Sequence, residues 1–219
     1  MCSHAYVCIA TINLEGRDIG NPDTHFFRPD VFCLQGITRA NFMNVSHKFK
    51  SEGYGYHTPT PSPPKEEWEV IYSKIPISKK NYTLFTRTNQ ERSVTSCTIS
   101  LGSKYVVIGT SHLEASGEGA TFRKAQIIEI PNILHTNTTI LCIDSCIPEY
   151  QKIDGPQGFL DAWMETGSAI NKSTQPLTSD RLDRIWYSPT MECIEFSLIS
   201  LTDSDDERKG ILACFSCGI

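Results

Sequence analysis

Residues 138–146 read Thr138-Thr139-Ile140-Leu141-Cys142-Ile143-Asp144-Ser145-Cys146. The run from Thr138 to Ile143 is short, apolar and β-branched, with none of the in–out alternation of a half-exposed strand, so it predicts a strand buried on both faces. Val31-Phe32-Cys33-Leu34-Gln35, launched by Pro29-Asp30, has the same character. Such strands need cover on both faces, and about nine strands with a few helices suggest two packed sheets flanked by helices. The expectation is an α/β fold, a four-layer α-β-β-α sandwich of two mixed sheets flanked by helices.

Strand-like runs continue in both directions. They are Tyr6 to Ile12, Glu69 to Ser73, Asn81 to Thr86, Val94 to Leu101, Tyr105 to Ser111, Asp180 to Tyr187, Ile194 to Ser200 and Ile211 to Phe215. Gly102-Ser103 reads as a hairpin turn between two of them. From Ile37 to Ser51, Phe42, Val45 and Phe49 fall at helical spacing. Gly119 to Ile130 carries a second helical pattern, expected to stop near Pro131. The prolines of His57 to Pro64 predict a stiff surface loop. No repeat and no charged linker interrupts the chain, so residues 1–219 are expected to form a single domain.

Composition narrows the function classes. The chain has 219 residues, 39% of them hydrophobic, and a net charge of -5, without the broad positive field of a non-specific nucleic-acid binder. No apolar run approaches the roughly 18 residues of a membrane span, and Met1-Cys2-Ser3-His4 does not open a signal peptide. The expected setting is intracellular, cytoplasmic or nuclear, with no secretion and no membrane partner. Most of the nine cysteines lie in apolar runs, which predicts reduced core thiols. Cys214 and Cys217 form a C-x-x-C pair without a second pair at zinc spacing, and read as alternation along a terminal strand.

Several apolar runs end in a polar residue that a buried strand would not choose: Asn13, Gln35-Gly36, His112 and Asp144. Singly, each caps a turn or satisfies a local hydrogen bond. Together, at the carboxyl ends of strands, they point to one site at one edge of the sandwich.

The order of motifs resembles the endonuclease/exonuclease/phosphatase superfamily of magnesium-dependent phosphodiesterases. Ile9-Ala10-Thr11-Ile12-Asn13 is similar to its T-W-N strand, and Pro29-Asp30-Val31-Phe32-Cys33-Leu34-Gln35 to P-D-[IV]-x-x-L-Q-E. Val70 to Ile77 is similar to I-L-S-[KR]-x-P-I, Thr110-Ser111-His112-Leu113-Glu114 to T-x-H-L-E, and Ile140 to Cys146 to the strand ending G-D-x-N. His112 to Glu114 with Gly119, Arg123 and Gln126, then Asp161-Ala162-Trp163 and Leu182-Asp183-Arg184, looks most like the 5′-tyrosyl-DNA phosphodiesterase branch. The resemblance implies one magnesium, an aspartate that orients water, and Asn and His donors to the transition state.

Against that pattern the chain departs at three places. The position of the family's metal-ligating Glu is Gly36, the Asn of G-D-x-N is Cys146, and the C-terminal S-D-H pair has no histidine, since the last one in the chain is His135. Ser204-Asp205-Asp206 or Glu207-Arg208-Lys209 stands in its place. Asn13, His112, Asp144 and Asp183 survive as a vestigial cleft, with Asp144 the one matched carboxylate for a metal. The reading is a catalytically inactive phosphodiesterase-like protein, a pseudoenzyme, that binds a protein partner or a nucleic-acid end. No cofactor is expected, and magnesium only if the protein is active. Two alternatives stay open: an active divalent-metal phosphodiesterase with relocated ligands such as Glu15 or Glu114, and a structural scaffold.

Nucleic-acid binding is expected to be weak and salt-dependent, carried by Lys74 with Lys79 and Lys80, Arg87 with Arg92, and Arg208 with Lys209. A glutamate put at Gly36 is expected to create magnesium affinity without turnover.

Overall fold

The computed structural model describes residues 5–19, 29–61, 65–115, 119–134, 136–148, 150–151, 154–200 and 208–218. Along the chain these form β1 (Ala5–Asn13), β2 (Val31–Ile37), α1 (Phe42–Ser51), β3 (Tyr56–His57), β4 (Trp68–Ser73), β5 (Ile77–Leu84), β6 (Ser93–Leu101), β7 (Lys104–His112) and α2 (Gly119–Leu134). They continue as β8 (Thr139–Asp144), β9 (Leu160–Asp161), α3 (Ala162–Thr166), a 3₁₀ turn at Ala169–Asn171, β10 (Asp183–Tyr187), β11 (Glu192–Ile199) and β12 (Gly210–Cys217).

The strands build two six-stranded sheets, ordered β11-β12-β1-β2-β4-β3 and β5-β6-β7-β8-β10-β9. Both are mixed, because β1 runs parallel to β2 and β7 parallel to β8 while their other neighbours are antiparallel. The layers follow from side-chain parity. Val7, Ile9, Val31 and Cys33 face Ile108, Ile140, Cys142 and Ile185 in the core between the sheets. The residues in between point outward: Ala10, Phe32 and Leu34 meet Val45 and Phe49 of α1. Leu141 and Ile143 meet Ile127, Ile130 and Leu134 of α2. This is the four-layer sandwich that the doubly buried strands require. Gln35 ties its middle, donating from Nε2 to Thr11 Oγ1 at 2.9 Å within its own sheet and to Thr110 Oγ1 at 2.7 Å across to the other.

Three sequence expectations need correction. The first helix starts at Phe42, because Ile37 pairs with Trp68 as the last residue of β2 and Asn41 Oδ1 accepts the Thr38 amide in the turn between. The second runs through Pro131 to Leu134. Burial of Leu134 against the sheet holds the last turn despite the donor that proline removes. Cys8 and Cys214 are not reduced thiols: they are direct partners across β1 and β12, with Cα atoms 4.1 Å apart, and are joined by a disulfide. Cys217 lies three residues along β12, on the face opposite Cys214 and in the inter-sheet core, so parity keeps the C-x-x-C pair from acting together. The residues Pro63-Pro64 and 201–207, which include Ser204, Asp205, Asp206 and Glu207, lie outside the described residues.

Candidate functional site

Parity also builds the cleft. On β1, Val7, Ile9, Thr11 and Asn13 share the inner face; on β7, Val106, Ile108, Thr110 and His112 do; on β8, Ile140, Cys142 and Asp144 do. Each series is apolar until its carboxyl end. Asp183 opens β10, and because that strand is antiparallel to β8 its first residue stands opposite Asp144. His112 stands opposite Asp144 on the parallel side. Three strand ends of one sheet therefore put His112, Asp144 and Asp183 in a row, and Asn13 reaches them from the other sheet.

Asp144 is the hub, with no exposed surface. Its Oδ2 accepts from Asn13 Nδ2 at 2.7 Å and lies 3.3 Å from His112 Nε2 and 2.8 Å from Arg208 Nη2. Its Oδ1 accepts the Cys146 amide at 3.0 Å and the Cys146 thiol at 3.5 Å, in a turn that puts Cys146 at φ 49°. Burial opposes its charge, but Arg208, then His112, then the Asn13 and Cys146 donors outweigh burial and hold the carboxyl well below its ordinary range.

Arg208 closes the cleft. Its Nε donates to Asp183 Oδ2 at 3.0 Å, its Nη2 is shared at 2.8 and 3.0 Å between Asp144 and Asp183, and its Nη1 lies 3.3 Å from Glu15 Oε1. Those Nη2 contacts are ion-pair contacts with no N–H aligned on either oxygen, and Asp183 Oδ1 is buried without a hydrogen-bond partner. Burial and the neighbouring Asp144 charge push the Asp183 carboxyl up to about 6 despite Arg208.

His112 is locked from the other side. Arg92 Nη1 approaches Nδ1 at 2.9 Å, and since a guanidinium only donates, Nδ1 accepts and the ring proton sits on Nε2, facing Asp144. Burial first, with Arg92 adding to it, lowers the histidine pKa and keeps the ring neutral. Arg92 also reaches Gln90 Oε1 and Glu67.

Gly36 has φ +65° at a bulge where β2 slips against β4. A Cβ there would lie 2.3 Å from Asn13 Oδ1 and 2.6 Å from the Glu15 nitrogen, atoms joined by a hydrogen bond of their own.

This architecture is shared with solved structures. Truncated Caenorhabditis elegans TDP2 superposes with a TM-score of 0.78 at 20% identity, over 96% of this chain and 97% of that one. D. rerio TDP2, in a complex with a single-strand DNA product, gives 0.79 at 17% over 96% and 98%. An endonuclease/exonuclease/phosphatase from Beutenbergia cavernae gives 0.75 at 14% over 98% and 72%. The chain has the endonuclease/exonuclease/phosphatase fold. At these identities the likeness is one of fold. No protein-family model and no curated protein matches the sequence.

In the superfamily that the sequence resembles the motifs above imply magnesium, and the residues present here do not fit it. Gly36 offers neither a carboxylate nor room for one, and the acidic side chain expected to create a site there meets Asn13 and the Glu15 backbone instead. Asp144 has both oxygens engaged, and a guanidinium holds the ground between Asp144 and Asp183. His112, Asp144 and Cys146 bring donor atoms within 4.8 Å of one another. There the histidine presents a proton rather than a lone pair, and burial and Asp144 push the Cys146 thiol well up, so it stays neutral. Of the relocated ligands considered, Glu15 reaches the cleft but is paired with Arg208 and Arg17. Glu114 accepts at Oε2 from Thr88 Oγ1 and the Asn89 amide, its Oε1 is buried without a hydrogen-bond partner, and among the described residues it joins no set of metal-donor atoms.

Two participants have a different role from the one read in the sequence. Arg92 and Arg208 are expected there to meet phosphates, with Arg208 also at a degenerate position of the S-D-H motif, yet each is at least nine-tenths buried and paired within the protein. Arg208 cannot do the chemistry of the missing histidine, being unable to give up a proton at neutral pH.

Proposed function

We propose that the protein is a catalytically inactive phosphodiesterase-like protein, a pseudoenzyme, that acts by binding a protein partner at this cleft. The observation that carries the reading is the Arg208 guanidinium seated between Asp144 and Asp183. A group in that place neutralises the carboxylates that would otherwise orient a metal and water. The pattern that the sequence resembles also loses its Asn donor, at Cys146, and the histidine of its C-terminal S-D-H motif; a single lost electrostatic donor typically costs about 3–4 kcal/mol, and groups acting as a unit fail together.

The charge around the cleft favours a protein over a nucleic-acid end. A depression of about 810 Å³ beside His112 is lined by Glu66, Glu67 and Glu91 against Lys65 and Arg92. Arg92 is tied to His112 and Glu67. A phosphodiester entering there meets more negative than positive charge.

The test is hydrolysis of a 5′-tyrosyl oligonucleotide and of an aryl phosphodiester with magnesium and with manganese. No turnover above an Asp144→Ala control is expected. Turnover that Asp144→Ala abolishes overturns the inactive reading. A fluorescent oligonucleotide titrated at low and physiological salt should show no saturable binding at the higher salt; submicromolar affinity there restores the nucleic-acid reading.

A further inference from the structure

We propose that the outer face of the sheet β5-β6-β7-β8-β10-β9 carries a binding site for a neutral polyhydroxylated ligand, a monosaccharide unit, in a groove beyond the end of α2. The groove is separate from the cleft. It lies toward the opposite end of β7 from His112, on the other face of that strand.

The groove arises from parity along β6. Cys97 and Ile99 face the core between the sheets, so Val94, Ser96 and Thr98 face outward. Val94 packs in the layer that α2 covers. The helix ends at Leu134, whose methyl groups press so closely on β7 that a Cβ at Gly109 would lie 3.2 Å from both. Past that contact the sheet face opens into a groove of about 400 Å³. Ser96 and Thr98 line it, Ser96 opposite Gly109 and Thr98 opposite Val107, and Asn81 of β5 stands opposite Ser96 on its other side.

Ser96 and Thr98 are each only 6% exposed, yet among the described residues neither hydroxyl has a hydrogen-bond partner. Hydroxyls on an open strand face are hydrated freely, whereas hydroxyls this withdrawn cost free energy until a partner reaches them. The lining also selects the partner. Hydroxyls and the side-chain amides of Asn81 and Asn137 both donate and accept, which matches the hydroxyl groups of a sugar. An anion would need donors alone, and a metal ion acceptors alone. Among the described residues Lys79 is the one charged side chain of the lining, and no carboxylate joins it. Tyr105 stands two residues before Val107 on the same face of β7 and is 73% exposed, so its ring offers an apolar surface to the C–H face of a pyranose. A groove of this size suits a small ligand.

Saturation-transfer NMR of the purified protein with glucose, galactose, mannose and N-acetylglucosamine in turn tests this. At least one of these sugars should receive saturation, most strongly at its ring C–H protons, and titrate with millimolar affinity. Ser96→Ala and Thr98→Val remove hydroxyls that bond nothing among the described residues. Each variant should therefore melt as the wild type does while binding the sugar about tenfold more weakly, the loss of one hydrogen bond. Tyr105→Ala, at an exposed position, should also weaken binding, and it carries the test should either hydroxyl variant fail to fold. Excess inorganic phosphate should not displace the sugar. The proposal is overturned if none of the four sugars receives saturation, or if a folded Thr98→Val or Tyr105→Ala protein binds as tightly as the wild type. Displacement by phosphate also overturns it, because that marks the groove as an anion site built around Lys79.

Discussion

Adding a single methyl group at Gly36 should damage the protein more than its size suggests. Gly36 sits at φ +65°, where a residue with a Cβ costs about 1–2 kcal/mol. The added carbon would stand 2.3 Å from Asn13 Oδ1 and 2.6 Å from the Glu15 nitrogen, so Asn13 has to move. Moving it gives up the Asn13–Glu15 hydrogen bond and weakens the buried bond to Asp144 at 2.7 Å, together about 1–3 kcal/mol. The total of about 2–5 kcal/mol corresponds to a melting temperature lower by about 5–15 °C in a chain of this size. Gly36→Ala followed by differential scanning calorimetry measures it directly. Gly36→Glu, which restores the side chain of the resembling family, should melt at least as low and gain nothing from magnesium. An alanine variant within about 2 °C of wild type, or a glutamate variant that magnesium stabilises, refutes the reasoning.

Three further outcomes are expected. Because Asp183 is raised to about 6 in the fold, it takes up a proton in the native state before it does in the unfolded chain; its contribution to stability therefore grows as pH falls through 6 toward 4. Wild type should accordingly gain on Asp183→Asn over that window in pH-dependent melts, and parallel curves would contradict the assignment. Gln35→Ala cuts the tie between the sheets and should lose about 2–4 kcal/mol in urea unfolding, a loss below about 1 kcal/mol arguing against the bridge. Reduction of Cys8–Cys214 should lower stability by about 2–4 kcal/mol and expose two further titratable thiols; a thiol count unchanged by reductant would mean the bridge does not form.

Much of the fold was legible because burial on two faces leaves a local trace. Val31 to Leu34 and Ile140 to Ile143 carry no alternation, and the polar residue that ends each run marks where the strand leaves the core. Asn13, His112 and Asp144 could be placed at one edge on that ground alone. The contacts that decide the chemistry left no such trace. Arg208 meets Glu15 across 193 residues of sequence, and an arginine beside a lysine after an acidic run reads as surface until both sheets are in place. The disulfide was hidden for the same reason, since its cysteines are 206 residues apart and depend on the register of strands that are not neighbours in sequence. Pro131 misled in the opposite direction, because a strong local rule gave way to the burial of Leu134.

The order of strands carries a consequence for how the molecule is made. The sheet β5-β6-β7-β8-β10-β9 draws on one continuous stretch, Ile77 to Tyr187. It can pair as it emerges from the ribosome. The other sheet cannot, because β12 belongs at its interior, between β11 and β1. Until β12 is synthesised, β1 shows an unpaired edge, a template for association with other chains, and closing it requires contacts of long sequence separation, which form slowly. Arg208, just ahead of β12, arrives at the same late moment. Asp144 and Asp183 are therefore without their counter-charge throughout synthesis of the strands that carry them, and the last strand both seals the sheet and neutralises the cleft.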